Sequence, residues 1–225
     1  MNDKVTGFNE FFGEQMRRVV VVGASCSGKT TLARSISARL NLPHIEIDAL
    51  VWGPNWSLPS DEQLLAQVIS KIAPDFWVID GVFPEHRDLV WGRADTIIWL
   101  NYPMSLVFPR ALVRTLKRCI TRERLGDHNV ETWRRSFFSS RSQLLWVIHS
   151  WRKRRRDYPK IFRRPENRHL RIFQFTSPRQ TEAWLATLSP EAIDPLNAGP
   201  GDSAHGNAAG GAWQKYGTTA DPVPA

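Results

Sequence analysis

Short runs of apolar residues alternate with amphipathic stretches along most of the chain. The apolar runs are rich in β-branched residues and too short for buried helices, so each predicts a strand. The five predicted strands lie at residues 18–22, 44–47, 76–79, 96–100 and 170–175. Between the predicted strands, apolar residues recur three and four positions apart, and this spacing predicts helices. The five predicted helices lie at residues 28–40, 60–73, 103–122, 131–156 and 178–188.

Several polar and proline positions refine these helices. Ser60 and Ser177 each come just before a stretch in which apolar residues have helical spacing, so we predict that they are N-caps. Pro109 is expected to interrupt the helix that begins at residue 103, or to delay its start, because proline lacks the backbone N–H that a helix interior needs.

Strands that alternate with helices are typical of a parallel sheet covered by helices on both faces. We therefore predict a three-layer α/β fold with its ligands beyond the carboxyl ends of the strands. This domain should span residues 17–189. Residues 1–16 are expected to be a flexible lead. Residues 190–225 are rich in Gly, Ala and Pro and are expected to be a disordered tail.

The charge of the chain is unevenly distributed. Its formal net charge is +8, but residues 110–171 alone carry 19 Lys/Arg against 5 Asp/Glu, a net of +14. Such a basic segment indicates an anionic partner: nucleotide phosphates, nucleic acid or a membrane surface. No apolar run approaches the roughly 20 residues that span a bilayer, and no secretory signal is visible. With two cysteines only, Cys26 and Cys119, we expect a cytoplasmic protein without a membrane partner.

A glycine-rich motif follows the first predicted strand. Residues 23–30, GASCSGKT, fit the pattern G-x-x-x-x-G-K-[ST]. In this pattern the backbone N–H groups surround phosphates, the lysine reaches the β- and γ-phosphates and the hydroxyl binds Mg²⁺. The sequence therefore predicts ATP and Mg²⁺ as cofactors. The predicted nucleotide-binding residues are Gly23, Ala24, Ser25, Cys26, Ser27, Gly28, Lys29, Thr30 and Thr31, with Thr30 also on the metal.

Acidic residues follow two further predicted strands. Asp80, after "FWVI", is placed to bind Mg²⁺ through water. Asp48, after "HIEI", opens the acceptor side, where a carboxylate accepts a hydrogen bond from a hydroxyl or acts as its base. For both residues the alternative is a cap for the following turn or helix.

Four stretches of the chain form a combined pattern: "VVVGASCSGKTTLARSISARLNLPHIEIDALVW", "WVIDG", "ADTIIWLNYP" and the arginine-rich stretch after them. Together they resemble the adenylate-kinase-related P-loop kinases. The similarity is greatest to a poorly characterised bacterial group, some of whose members are labelled DNA topology modulation proteins. It covers residues 18–188. The positions that match are Gly23, Gly28, Lys29, Thr30, Asp48 and Asp80.

The resemblance implies a five-stranded parallel sheet in the order 2-3-1-4-5, a mobile helical lid and phosphoryl transfer from ATP. The lid and basic helices would occupy residues 105–165, approximately. The chain departs from true adenylate kinases because its loop lacks their G-x-P-G-x-G-K-G-T form and no arginine follows Phe83-Pro84. AMP is therefore not implied as the acceptor.

Arginines recur every four residues after the fourth predicted strand, at Arg110, Arg114, Arg118 and Arg122, with Arg124 close by. This spacing places them on one helix face, and arginines stabilise the charge on a transferring phosphoryl group. A solvated basic face is the alternative. The predicted catalytic residues are Lys29, Asp48, Arg118, Arg122 and Arg124.

A second basic run, residues 152–156, follows interleaved aromatic residues. These aromatics are Trp133, Phe137, Phe138, Trp146 and Trp151. Together they are compatible with a nucleic-acid surface, although we favour an amphipathic helix that packs its aromatics and leaves its basic end in solvent. Trp52 and Trp56 either line the acceptor pocket or anchor their loop.

The sequence thus predicts an ATP-dependent phosphotransferase, similar to nucleoside monophosphate kinases, that transfers the γ-phosphate to a nucleotide or other small-molecule acceptor. The alternative is a nucleic-acid-binding ATPase or a nucleotide-dependent regulator of DNA topology. Neither the acceptor nor the oligomeric state follows from the residues.

Overall fold

A computed structural model describes residues 16–51, 59–121, 124–125, 129–130 and 143–188. Five parallel strands form the central sheet: β1 (Arg18–Gly23), β2 (His44–Glu46), β3 (Trp77–Asp80), β4 (Thr96–Leu100) and β7 (Arg171–Phe175). A separate antiparallel pair consists of β5 (Arg124–Leu125) and β6 (Asn129–Val130). The sheet order is β2-β3-β1-β4-β7, which is the predicted order 2-3-1-4-5 when the strands of this sheet are counted alone.

Seven helices connect and follow these strands in the described part of the chain. They are α1 (Lys29–Leu40), α2 (Ile47–Val51), α3 (Asp61–Ile72), α4 (Arg87–Arg93), α5 (Met104–Thr121), α6 (Gln143–Phe162) and α7 (Pro178–Leu185). Both predicted N-caps are confirmed. The hydroxyls of Ser60 and Ser177 each accept a hydrogen bond from a backbone N–H of the first turn, and Ser60 forms a reciprocal capping box with Gln63.

Two apolar layers lie against the two faces of the sheet. Because side chains alternate along a strand, Val19 and Val21 of β1 join one layer, together with the apolar face of α1. Val20 and Val22 join the other layer, where α3 and α4 pack. The sheet is therefore covered on both sides, and the predicted three-layer architecture is confirmed.

Helix α6 crosses from one face of the sheet to the other. Val147 near its beginning packs in the layer that contains Val19. Tyr158 and Ile161 near its end pack in the opposite layer. Between them, Trp151 donates a hydrogen bond from Nε1 to the carbonyl oxygen of Tyr102 at 2.8 Å, just after the end of β4. The crossing therefore takes place at the carboxyl edge of the sheet.

The predicted interruption at Pro109 is wrong. Helix α5 continues without a break through this proline, whose ring is exposed. A single proline removes one backbone hydrogen bond, and here the packed face of the helix outweighs that loss. Helix α6 likewise continues through Pro159 to Phe162, beyond its predicted end. The second strand ends at Glu46 rather than Ile47, because Ile47 begins α2.

Several predicted features lie outside the described residues. These are the lead to residue 15, the tail, residues 131–142 of the long predicted helix and Trp52, Trp56, Trp133, Phe137 and Phe138. Within the described residues, no helix combines the length and apolar character needed to cross a bilayer.

Candidate active site

The loop between β1 and α1 has a backbone that its glycines make possible. A Cβ added to Gly23 would lie 2.8 Å from the carbonyl oxygen of Leu100 and 2.8 Å from Ser27 Oγ, so no larger residue fits there. Gly28, with φ of 95°, is the N-cap of α1 in a left-handed conformation that favours glycine. The loop thus leads directly into a helix N-terminus, where free N–H groups and the helix dipole attract anions.

Lys29 is the partly buried cation at the start of α1. Its ammonium donates a hydrogen bond from Nζ to the carbonyl oxygen of Ala24 at 3.0 Å. Burial, and then the nearby charge of Arg154, lower the pKa of Lys29 to about 8, although Asp48 and Asp80 act in the opposite direction. Charges of both signs therefore act on Lys29.

Two arginines from different helices act on this site, one through a hydrogen bond to the loop and the other through its charge near Lys29. Arg114 of α5 donates a hydrogen bond from Nη2 to Ser25 Oγ at 3.1 Å. Arg154 of α6 exerts the strongest electrostatic effect on the pKa of Lys29. It is partly buried, whereas Arg152, Lys153, Arg155 and Arg156 are exposed. The interpretation of residues 152–156 as a uniformly solvated face is therefore wrong at Arg154, because α6 crosses the carboxyl edge of the sheet.

The predicted lid arginines are only partly described. Arg118 is partly buried on α5, one helical turn beyond Arg114. Arg122 lies outside the described residues, and Arg124 is known only as the first residue of β5. Their catalytic role stays a prediction. Sequence reasoning placed Arg114 on the correct helix face but did not select it, and it had no signal for Arg154.

Asp80 ends β3 and is buried beside Thr30. The pKa of Asp80 is raised by burial, while a hydrogen bond from the Thr30 side chain, His44 and Lys29 counteract that rise. His44 Nε2 lies 3.6 Å from Asp80 Oδ1. This Oδ1 has no hydrogen-bond partner among the described residues. A buried carboxylate oxygen beside a hydroxyl offers the oxygen ligands that Mg²⁺ prefers.

The described part of the chain contains no group of three or more His, Cys, Asp or Glu arranged to hold a metal ion. Mg²⁺ commonly takes one or two protein ligands and completes its octahedron with water and substrate phosphates. Thr30 and Asp80 could hold Mg²⁺ in this way, as the sequence predicts.

The other predicted residues lie around Lys29. Asp48 is exposed in the first turn of α2, and its charge raises the pKa of Lys29. Gly81 follows β3, and a Cβ added to it would lie 3.9 Å from Lys29 Cε. Gly23 ends β1, and residues 24–31 form the loop and the first turn of α1, with Ser27 buried and Thr31 exposed. The strand order and the loop after β1 together give the three-layer P-loop NTPase fold.

Solved structures with similar chains include two shikimate kinases and a gluconokinase. A shikimate kinase from Bacteroides thetaiotaomicron is 16% identical, with 77% of this chain and 96% of that chain covered and a TM-score of 0.46. A gluconokinase from Sinorhizobium meliloti 1021 is 18% identical, with 78% and 94% covered and a TM-score of 0.43. A shikimate kinase from Aquifex aeolicus is 17% identical, with 75% and 91% covered and a TM-score of 0.42. No family model and no curated protein matches the chain. Because these TM-scores are low, the comparisons carry no argument, and the assignment of the fold rests on the strand order and the loop between β1 and α1.

Proposed function

We propose that the protein is an ATP-dependent phosphotransferase that acts on a small molecule. The observation that carries this proposal is that Lys29 and Arg114 both form hydrogen bonds to the loop between β1 and α1, while the charge of Arg154 acts on Lys29. Three cations from three elements, beside a helix N-terminus, form a site for a highly charged anion. A nucleoside triphosphate is the anion that the loop pattern predicts.

The residues present fit Mg²⁺, which would be held by Thr30 and Asp80. Held there, Mg²⁺ would supply positive charge that neutralises part of the charge on the nucleotide phosphates. The backbone of residues 23–30 and Lys29 would hold the β- and γ-phosphates. Arg114 and Arg154 would stabilise the charge that spreads over the transferring group.

In the transfer step, an acceptor hydroxyl oxygen attacks the γ-phosphorus and forms a new P–O bond. The bond between the γ-phosphorus and its bridging oxygen breaks, and its electron pair leaves with ADP. The hydroxyl proton passes to the carboxylate of Asp48, which lies exposed near Lys29. No covalent enzyme intermediate is needed, because the site acts by positioning and neutralising charge.

The acceptor would be a nucleotide or another small molecule. The proposal also places the chain among the adenylate-kinase-related kinases. It further includes a mobile lid that contains Arg118, Arg122 and Arg124, and a cytoplasmic location. They are supported by the motif matches at Lys29 and Asp80 and by the cysteine content.

The test is a measurement of ADP formation from Mg·ATP with and without candidate acceptors, and with and without DNA. Lys29→Ala supplies the background rate. The proposal expects acceptor-dependent ADP formation that DNA does not stimulate. ATP hydrolysis stimulated by DNA, with no small acceptor ever phosphorylated, would favour the nucleic-acid-binding alternative, for which the exposed Arg152, Lys153, Arg155 and Arg156 would be the surface.

A further inference from the structure

The pairing of β2 with β3 places His44, Glu46 and Asp80 on the same face of the sheet. In this parallel pair Glu46 lies opposite Asp80, and His44 lies opposite Val78. Because side chains alternate along a strand, these four residues share one face. It is the face of the layer that contains Val78 and the apolar side of α1. Thr30, in the first turn of α1, approaches Asp80 from this helix.

The imidazole of His44 lies beside the carboxylate of Asp80. Nε2 of His44 is 3.6 Å from Oδ1 of Asp80. Both atoms are buried, and neither has a hydrogen-bond partner among the described residues. Buried polar atoms are rarely left in this state, because an unmade hydrogen bond away from water costs free energy. A shift of only about 0.7 Å would bring the two atoms to the ordinary length of a hydrogen bond from nitrogen.

Of the two β2 side chains on this face, only His44 can donate a hydrogen bond to Asp80. An imidazole with hydrogen on Nε2 is a donor at that atom, whereas an ionised carboxylate such as that of Glu46 only accepts. Glu46 instead accepts a hydrogen bond at Oε2 from Nη2 of Arg34, at 3.1 Å. Carboxylates that hold a metal ion are commonly fixed in direction by a hydrogen bond from a neighbouring group.

We propose that His44 is a positioning residue for Asp80, whose Oδ1 accepts a hydrogen bond from Nε2–H of His44 when Mg·ATP is bound. This inference rests on the proposed function and deepens it, because it concerns the carboxylate proposed to hold Mg²⁺. His44 acts only through Asp80. Removing the donor should therefore weaken the hold on Mg²⁺ and leave the contacts of Lys29 with the phosphates intact.

The experiment measures the affinity for ATP by titration calorimetry, once with saturating Mg²⁺ and once with EDTA. The ratio of these two affinities reports the contribution of the metal. His44→Phe keeps a ring of similar size but removes Nε2, and it should lower the ratio by about tenfold while metal-free ATP binds as in the wild type. His44→Gln, whose amide nitrogen can replace Nε2 as the donor, should restore most of the ratio.

A second arm introduces His44→Phe into the Asp80→Asn variant. Because His44 is proposed to act through Asp80, the substitution should not lower the ratio further in this background. An equal fall of the ratio in both backgrounds would overturn the proposal. So would a loss of both ATP affinities by the same factor in His44→Phe, since this result would show that His44 only supports the local fold.

The matched control is His169→Phe. His169 lies in the turn before β7, at the opposite edge of the sheet, where its Nε2 is 3.2 Å from the carbonyl oxygen of Trp91. Its affinity ratio should equal that of the wild type. An unchanged ratio in His44→Phe would overturn the positioning role and leave the phosphotransferase standing. Failure of the wild-type protein to bind ATP under either condition would overturn the proposed function together with this inference.

Discussion

Arg114 donates a hydrogen bond to Ser25 across 89 positions of sequence and thereby joins α5 to the loop between β1 and α1. The contact places a guanidinium beside the loop, and the buried Nε of Arg114 has no hydrogen-bond partner among the described residues. Arg114 is one turn before Arg118. The basic face of α5 therefore begins to contact the loop earlier in the helix than the sequence pattern suggested.

Replacing Arg114 with alanine should weaken Mg·ATP binding about tenfold or more, because a charge-assisted contact contributes roughly 1.5–3 kcal/mol. Ser25→Ala removes the hydrogen bond but keeps the cation, so its effect should be much smaller. Titration calorimetry on both variants measures the difference. Equal losses in both would show that Arg114 acts only by holding the loop.

Arg154→Gln should also weaken Mg·ATP binding, because it removes a cation near Lys29 that would attract the polyphosphate. The control is Arg152→Gln, which makes the same change two residues away at an exposed position of the same helix. Nucleotide affinity should be nearly unchanged in this control. If Arg154→Gln and Arg152→Gln bind Mg·ATP equally well, Arg154 does not contribute to the nucleotide site and is only part of the solvated basic end of α6.

Asp80→Asn keeps the shape of the side chain but removes its charge. The Mg²⁺ dependence of ADP formation should shift to higher Mg²⁺ concentrations, while nucleotide binding without metal should change little, because Asp80 is proposed to act through the ion. A Mg²⁺ titration of the rate measures this shift. An unaltered Mg²⁺ dependence would leave Asp80 as a partner of Thr30 and His44 only.

The pKa of Lys29, about 8, predicts how nucleotide affinity depends on pH. The ammonium carries its charge below that pKa and loses it above, so binding a polyphosphate above pH 8 requires uptake of a proton. Affinity for Mg·ATP should therefore fall as pH rises from 8 to 9, by up to about tenfold. In Lys29→Arg the guanidinium stays charged and the profile should be flatter. A flat wild-type profile would contradict the lowered pKa.

The loop was predictable from sequence because its pattern is local. Gly23, Gly28 and Lys29 occupy fixed spacings between a strand and a helix, and the strand order followed from the resemblance that these motifs support. The N-caps at Ser60 and Ser177 were predictable for the same reason, since a cap depends on three neighbouring residues.

The role of Arg154 was not predictable, because it depends on tertiary structure. Five consecutive charges carry no signal that singles out one of them. Arg154 becomes distinct only when α6 crosses from the layer of Val147 to that of Tyr158, because it is then partly buried while its charged neighbours are exposed. The continuity of α5 through Pro109 was not predicted either, because packing of the buried face of this helix overrides the tendency of proline to break a helix.

The central claim, a triphosphate held by Lys29 in the loop between β1 and α1, is tested most directly by titrating Mg·ATP into the wild-type protein and into Lys29→Ala at pH 7. The account predicts saturable binding to the wild type and a loss of about tenfold or more in the variant, because the charged contact to the β- and γ-phosphates is removed. Equal affinity of the two proteins, or no binding to the wild type, would contradict it.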